Sequence, residues 1–348
     1  MSQAVVKEPV VATGDQLRVS APALEVRDLV TEFRTEKGNL RAVNGVSFSV
    51  QRGEVLAVIG ESGSGKSAML RSILGIQPAG TLIEGEVRLA GRDLLAMSSR
   101  ERRRVRGRDV AMVFQDPLTA LDPVYTVEQQ LVETILVHQK MSRSRARARA
   151  LELLELVQIP SPETRLKAYP SELSGGMRQR IVIAMAIAGT PQVLLADEPT
   201  TALDVTVQAR MIRLFRRIQM EADMGLVVVT HDLGVAAELA DNVAVMYAGR
   251  IVEYGTAKAV LTNPQHPYTE GLIEANVRPG QDSRPRAIIG APPSLKRLPP
   301  GCSFAPRCPD AVSECWSELP ALAEVGEERF SRCVFSPRAV MALSTREN

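Results

Sequence analysis

The pattern of apolar and polar positions changes character several times along the chain. Leu24 to Leu29 has a strand-like mixture, and Ala42 to Val50 resembles a second strand. Glu54 to Ile59 (EVLAVI) is a short apolar run between Gly53 and Gly60, the profile of a strand buried on both faces of a sheet. A glycine-rich polar turn follows, and Ser67 to Leu74 then takes on helical character. Val193 to Ala196 and Leu226 to Val229 are two more short apolar runs, and Val205 to Met220 between them reads as an amphipathic helix. Strands alternating with helices predict a mainly parallel α/β sheet. Roughly residues 100 to 190 read differently: helices are predicted over Val127 to Gln139, Arg143 to Gln158 and Met177 to Ala188. An inserted helical subdomain is the simplest account. From Asn263 onward prolines crowd together, seven of the 22 falling between Pro285 and Pro309, which predicts an extended, loop-rich tail rather than another sheet. The α/β unit occurs once, without internal repeat.

Composition narrows the class. With 348 residues, a prior of about 150 residues per domain suggests two or three folding units. The chain is 45% hydrophobic and 24% charged, as in a globular protein. Its 42 Lys+Arg against 40 Asp+Glu leave a net charge of +2, which makes no whole-chain case for nucleic acid. No apolar stretch reaches the roughly 18–20 residues of a membrane span. The nearest, Ile181 to Ala196, is interrupted by Thr190, Pro191 and Gln192. The first 22 residues include Lys7, Glu8 and Asp15 and read as a loose polar tail, not a secretory signal. Collagen, coiled coil, integral membrane protein and secreted disulfide miniprotein are thereby excluded. The four cysteines all lie after residue 300.

Candidate chemistry begins at Gly60-Glu61-Ser62-Gly63-Ser64-Gly65-Lys66-Ser67, a complete GxxxxGK[ST] pattern between a predicted strand and helix, with Ala68 next. Its glycines let consecutive backbone N–H groups point inward at phosphate oxygens, and the helix start adds positive partial charge. Lys66 can reach the β- and γ-phosphates, and the Ser67 hydroxyl can ligate Mg²⁺. A second acidic site should complete it. Val193-Leu194-Leu195-Ala196-Asp197-Glu198 is an apolar strand ending in two carboxylates, where an α/β sheet presents its chemistry. Asp197 would hold Mg²⁺, directly or through water, and Glu198 would orient the attacking water and accept its proton.

The residues between these sites resemble the ATP-binding cassette (ABC) ATPases. Leu173-Ser174-Gly175-Gly176-Met177-Arg178-Gln179-Arg180 resembles the signature motif, with Met177 where glutamine is commoner. Gln115 in Val113-Phe114-Gln115-Asp116-Pro117 resembles the Q-loop, Ala202-Leu203-Asp204 the D-loop, and His231 in Thr230-His231-Asp232 the switch histidine. These four motifs and the two sites above stand in the family's order, over roughly residues 24 to 265. The resemblance implies a P-loop NTPase cassette with a RecA-like core, a β-subdomain and an inserted helical subdomain. It also implies that Ser174, Gly175 and Gly176 bind the γ-phosphate of ATP held by a second cassette, so that two cassettes close head to tail. Gln115 would contact Mg²⁺ or the water, His231 would hold the γ-phosphate and position Glu198, and Asp204 would join the nucleotide site. Phe33 either stacks on adenine or is a core phenylalanine.

The motifs LSGGMRQR (173–180), ADEPTTALDV (196–205) and NPQHPYTEGL (263–272) look like those of the oligopeptide and dipeptide importer ATPases. So does the tail, Gly301-Cys302-Ser303-Phe304-Ala305-Pro306-Arg307-Cys308-Pro309 followed by Cys315 and Cys333. Its C-x5-C-x6-C-x17-C spacing is unlike a stable disulfide set in a reducing compartment; it suits a [4Fe–4S] cluster, zinc, or unliganded thiols, and the resemblance favours the cluster. The boundaries expected are a tail over 1–22, a cassette over 23–265 and a cysteine-containing C-terminal extension over 266–348. The function implied is that of an ATPase at the cytoplasmic face of the cell membrane. It would energise uptake of oligopeptides or dipeptides with two transmembrane permease subunits, a second, homologous ATPase chain and an extracytoplasmic peptide-binding protein. Alternatives are a nickel or other small-solute importer, or a soluble ABC ATPase of DNA repair or translation. His138 and His266 read as surface or packing residues. The six arginines of Arg100 to Arg108 and four of Arg143 to Arg149 read as solvated faces or contacts to membrane partners, not as a nucleic-acid site.

Overall fold

The structure is a computed structural model describing residues 21–36, 38–116, 120–201, 204–276 and 286–335. Most of the N-terminal tail, Pro117 of the Q-loop segment, and Ala202 and Leu203 of the D-loop segment lie outside them. The chain opens with strands β1 (Leu24–Thr35), β2 (Gly38–Val50) and β3 (Val55–Ile59), helix α1 (Lys66–Leu74), and strands β4 (Leu82–Leu89) and β5 (Arg92–Asp93). Next come α2 (Ser99–Val105), β6 (Val110–Val113), α3 (Val127–His138), α4 (Arg143–Leu156), α5 (Pro162–Leu166) and α6 (Gly175–Ile187). Strand β7 (Val193–Asp197), α7 (Val205–Ala222), β8 (Gly225–Thr230), α8 (Leu233–Leu239), β9 (Asn242–Tyr247) and β10 (Arg250–Thr256) follow. Helices α9 (Ala257–Thr262), α10 (Pro267–Ala275) and α11 (Glu314–Ser317) and strands β11 (Ala323–Gly326) and β12 (Arg329–Ser331) complete the order.

The chain divides into two compact units. The first takes the described residues through Ser49, Leu56–Leu95 and those from Thr230 onward. It holds the antiparallel sheet β2-β1-β4-β5 and the run β11-β12-β10-β9-β3, in which β3 and β9 are parallel and the other pairs antiparallel. Every residue of β3 and of β9 is buried, which is why both read as unbroken apolar runs rather than as alternation. Helix α1 packs on β1, where the hydroxyls of Thr31 and Ser72 share a buried hydrogen bond of 2.7 Å. It stops at Gly75, whose left-handed φ of 61° lets its N–H reach back to the carbonyls of Arg71 and Ser72.

The second unit comprises Val50–Val55 and Ala96–Val229. Strands β6, β7 and β8 pair in parallel, and α3, α4 and α6 pack on one another. Thr126, Ser142 and Ser174 cap these three helices by accepting from the N–H three residues on. Helix α7 buries Met211, Ile212, Leu214, Phe215 and Ile218, the stripe its amphipathic pattern predicts.

Three departures from the sequence reading have physical causes. Strand β6 falls within the region read as helical: its four apolar residues, embedded among arginines, are too short to show a period, yet they pair with Val193 to Ala196. Strands β9 and β10 extend the first unit beyond the runs recognised in the sequence. The tail is not loop alone, because β12 pairs with β10 and β11 with β12, so it lengthens an existing sheet at the edge.

Candidate functional site

The first unit carries the phosphate loop. Strand β3 delivers Gly60, and the loop turns through Gly63 (φ 78°) and Gly65 (φ 104°) into α1. At Gly65 a Cβ would run into the Ala42 carbonyl oxygen and the Met246 methyl, so the backbone there is pinned where only glycine fits. Gly65 is the N-cap of α1 with no side chain capping it and no acidic residue in the first turn. Amides at that end therefore face an anion-ready opening, with the positive end of the helix behind them. Lys66 is 5% exposed; its Nζ donates to the carbonyls of Gly60 (2.7 Å) and Glu61 (2.8 Å) and to Ser64 Oγ (3.4 Å). Ser64 is buried, Ser62 exposed, and Ser67 and Ala68 half-buried. Phe33 lies half-buried on β1. His231 is exposed, and the turn around it is fixed by Asp232, whose N–H donates to Thr230 Oγ1 (3.0 Å) and whose carboxylate caps α8 at Gly234 (2.7 Å).

The second unit carries the acidic strand end, the Q-loop glutamine and the signature. Asp197 is buried at the end of β7, and Glu198 follows with a left-handed φ of 46°. That unusual backbone is tied by the Glu198 N–H donating to the Val229 carbonyl (2.9 Å). The Glu198 carboxylate accepts from Gln115 Nε2 (3.2 Å) and Thr201 Oγ1 (2.9 Å). Gln115 and Glu198, 83 residues apart, are thus brought together, whereas Thr201 carries no motif signal beyond its neighbourhood. Asp204 caps α7 by accepting from Val207 N (3.0 Å), and Ser174 caps α6 by accepting from Met177 N (3.3 Å). Ser174 and Gly175 are exposed and Gly176 half-buried. Beside them opens a groove of about 610 Å³, lined also by Arg180, Arg210 and Arg213. Burial, followed by repulsion from Arg210, lowers the pKa of Arg180, the sign of a locally cationic surface. Arg210 and Arg213 went unrecognised in the sequence, since on an amphipathic helix they look like ordinary solvated charges.

The four cysteines are free thiols, and all four border one small cavity with His266, Pro267, Phe304 and Pro320. Burial raises the pKa of Cys302 and Cys308 and pushes Cys333 up to about 11. Among the described residues, no three His, Cys, Asp or Glu side chains stand close enough to hold a single metal ion. His266 is buried and packs against the Phe304 ring, its Nδ1 accepting from Tyr268 N (3.1 Å). Burial, then Arg332, lowers its pKa to about 3, so it is a neutral packing residue.

Fold and phosphate loop define an ATP-binding cassette ATPase. Residues 43–201 match the ABC transporter family, and residues 252–315 match the oligopeptide/dipeptide transporter C-terminal region. The dipeptide transport ATP-binding protein DppD of Bacillus subtilis is 50% identical over 84% of this chain and 88% of its own length. The oligopeptide transport ATP-binding protein OppD of Bacillus subtilis is 45% identical over 88% of this chain and 87% of its own. Among solved structures, the dimeric cassette MJ0796 bound to ADP and Pi matches with a TM-score of 0.60 at 28% identity, covering 67% of this chain and 98% of that one. The chain belongs to the ATP-binding subunits of the oligopeptide/dipeptide ABC transporter family. No helix among the described residues is long and apolar enough to cross a membrane.

Proposed function

We propose that this chain hydrolyses ATP to drive uptake of dipeptides or oligopeptides, at the cytoplasmic face of a membrane, docked on two permease subunits. A second, homologous ATPase and an extracytoplasmic peptide-binding protein complete the assembly. The observation that carries this reading is the union in one chain of the cassette (43–201) with the peptide-transporter C-terminal region (252–315).

In the reaction, Gly60, Ser62, Gly63, Ser64, Gly65, Lys66, Ser67 and Ala68 bind the phosphates, and Phe33 stacks on adenine. Mg²⁺, when bound by Ser67, Asp197 and Gln115, neutralises phosphate charge. Glu198 accepts the proton of the attacking water. Its contacts with Gln115 and Thr201 suit that role, because two donors fix the orientation of the carboxylate. Gln115 and His231 report and position the γ-phosphate. The signature residues Ser174, Gly175 and Gly176, with the cationic groove beside them and Asp204, close on ATP held by the partner cassette, supplying donors where charge develops.

For the four cysteines the resemblance favours a [4Fe–4S] cluster over zinc. All four cysteines border one small cavity. Cys302, Cys308, Cys315 and Cys333 would hold it, ordering a proline-rich segment that has little core of its own.

Purification of the intact assembly tests both parts. The transport reading expects two hydrophobic permeases to co-purify and peptide-loaded binding protein to raise the ATPase rate. Stimulation by nickel-loaded binding protein instead would refute it. The cluster reading expects iron and acid-labile sulfide after anaerobic purification, and zinc alone would refute that.

A further inference from the structure

One residue of the phosphate loop is out of keeping with its chemistry. A loop that receives a polyanion contains Glu61, a carboxylate placed one residue after Gly60. Its side chain is occupied. Arg307 grips it in a two-pronged ion pair, NH1 to Oε2 at 2.6 Å and NH2 to Oε1 at 2.9 Å. The Arg307 side chain is only 5% exposed and that of Glu61 25%, so this is not a solvent-screened surface contact. The remaining donors of Arg307 reach Tyr247 Oη (3.4 Å) and the Ile289 carbonyl (3.2 Å). Its guanidinium lies 5.9 Å from the ring centroids of both Tyr247 and Phe304.

The Glu61 backbone is equally engaged. Its N–H donates to Tyr268 Oη (2.8 Å), and its carbonyl accepts from Lys66 Nζ. Tyr268 in turn packs on Tyr247 at 4.4 Å between ring centroids. Entry into the phosphate loop is therefore clamped from the C-terminal segment, 207 and 246 residues further along the chain.

Arg307 itself sits on a short turn whose ends are two cysteines. The Ala305 N–H donates to the Cys302 carbonyl (3.0 Å), Arg307 N–H to the Phe304 carbonyl (2.8 Å), and Cys308 N–H to the Ala305 carbonyl (3.3 Å). Cys302 N–H donates to the Cys315 carbonyl (2.7 Å). Whatever orders the cysteines orders this turn, and the turn aims the guanidinium.

We propose that Arg307 is a positioning residue for ATP binding: it holds Glu61 away from the phosphates and fixes the loop entry, so nucleotide affinity depends on the order of the four-cysteine segment. The proposal rests on the reading that residues 60 to 67 bind ATP. Without Arg307, the loop presents an uncompensated carboxylate to an incoming polyanion and loses one of its anchors.

The test is equilibrium binding of a fluorescent ATP analogue to the purified full chain, with KM and kcat measured in parallel. Arg307→Ala is expected to weaken binding about tenfold, within the 5- to 150-fold range usual for coupled sites. KM should rise with it while kcat changes little, and Arg307→Lys should recover part of the affinity. In a Glu61→Ala background the Arg307→Ala effect should vanish. Cys302→Ser/Cys308→Ser, with Arg307 intact, should weaken binding to a similar extent. Binding within twofold of the parent for Arg307→Ala, or additive losses in the double variant, overturns the positioning role. Unchanged affinity in the cysteine variant overturns the link to the cysteine segment. Lys66→Ala serves as the reference: undiminished binding there would sink the phosphate-loop reading itself, separately from the Arg307 effect.

Discussion

Two glycines of the phosphate loop make a matched experiment. Gly63 and Gly65 both have positive φ, 78° and 104°, so alanine at either position meets the left-handed penalty of about 1–2 kcal/mol. Their surroundings differ. A Cβ on Gly63 meets nothing within 4 Å, whereas one on Gly65 collides with the Ala42 carbonyl and the Met246 methyl. Methionine can swing away, but the carbonyl belongs to β2 and moves only with the strand. Forcing that shift adds the overpacking cost of about 1–3 kcal/mol. Gly63→Ala should therefore lose about 1–2 kcal/mol and Gly65→Ala about 2–5 kcal/mol. At about 2 °C per kcal/mol, the low end of the range for large chains, the expectation is about 2–4 °C against about 4–10 °C. Thermal unfolding without nucleotide reads this directly, since no ligand then compensates. Asparagine, which visits the left-handed region more readily than alanine, should be milder than alanine at Gly63 and no better at Gly65. Equal melting shifts for the two alanine variants would refute the steric argument and leave only the φ penalty.

Other outcomes follow from the same geometry. Glu198→Gln should bind ATP but lose turnover by at least about 10²-fold, the low end for general-base loss; steady-state hydrolysis near the parent rate removes Glu198 as the base. Thr201→Val deletes the 2.9 Å contact to Glu198 and should lower kcat several-fold, as loss of one hydrogen bond of about 1 kcal/mol would, with ATP affinity kept; an unchanged kcat shows the contact is incidental. Glu253 is fully buried and accepts from Gln265 N (2.8 Å), His266 N (3.0 Å) and Arg329 (3.0 Å). Glu253→Ala should cost about 3–5 kcal/mol by orphaning that set, measured by urea unfolding, with less than 1 kcal/mol contradicting it. His138 titrates low because of burial, reinforced by Arg108. The unfolded chain then takes up the proton first, so stability is intact above about pH 6.5 and falls as pH drops below it. His138→Gln should flatten that part of the pH–stability curve, and an unaltered slope would assign it elsewhere.

The parts legible in the sequence are those whose chemistry is local. The β3–loop–α1 unit, β7 and its terminal carboxylates, β8 and the amphipathic α7 each declare themselves within a few residues, through burial on both faces or a 3.6-residue period. Strand β6 is just as buried, but four residues among arginines offer no period to read. Strands β11 and β12 owe their existence to pairing with β10, and no proline-rich stretch announces a distant partner edge. At the site, Lys66, Gln115 and Glu198 were visible because motif spacing encodes them. Arg307 and Tyr268 were not, since nothing near Arg307 or Glu61 marks either as half of a pair. Arg210 and Arg213 reveal a role only once α7 brings them alongside the signature.

The long reach from Arg307 back to Glu61 also bears on synthesis. A ribosome adding about 5–20 residues per second needs roughly 10–50 s to cover the 246 residues between them. For that interval the phosphate loop exists without its anchors from Tyr268 and Arg307. If Arg307 sets nucleotide affinity as proposed, a nascent chain holds ATP weakly until the segment bearing Arg307 has been made and has folded back onto the loop.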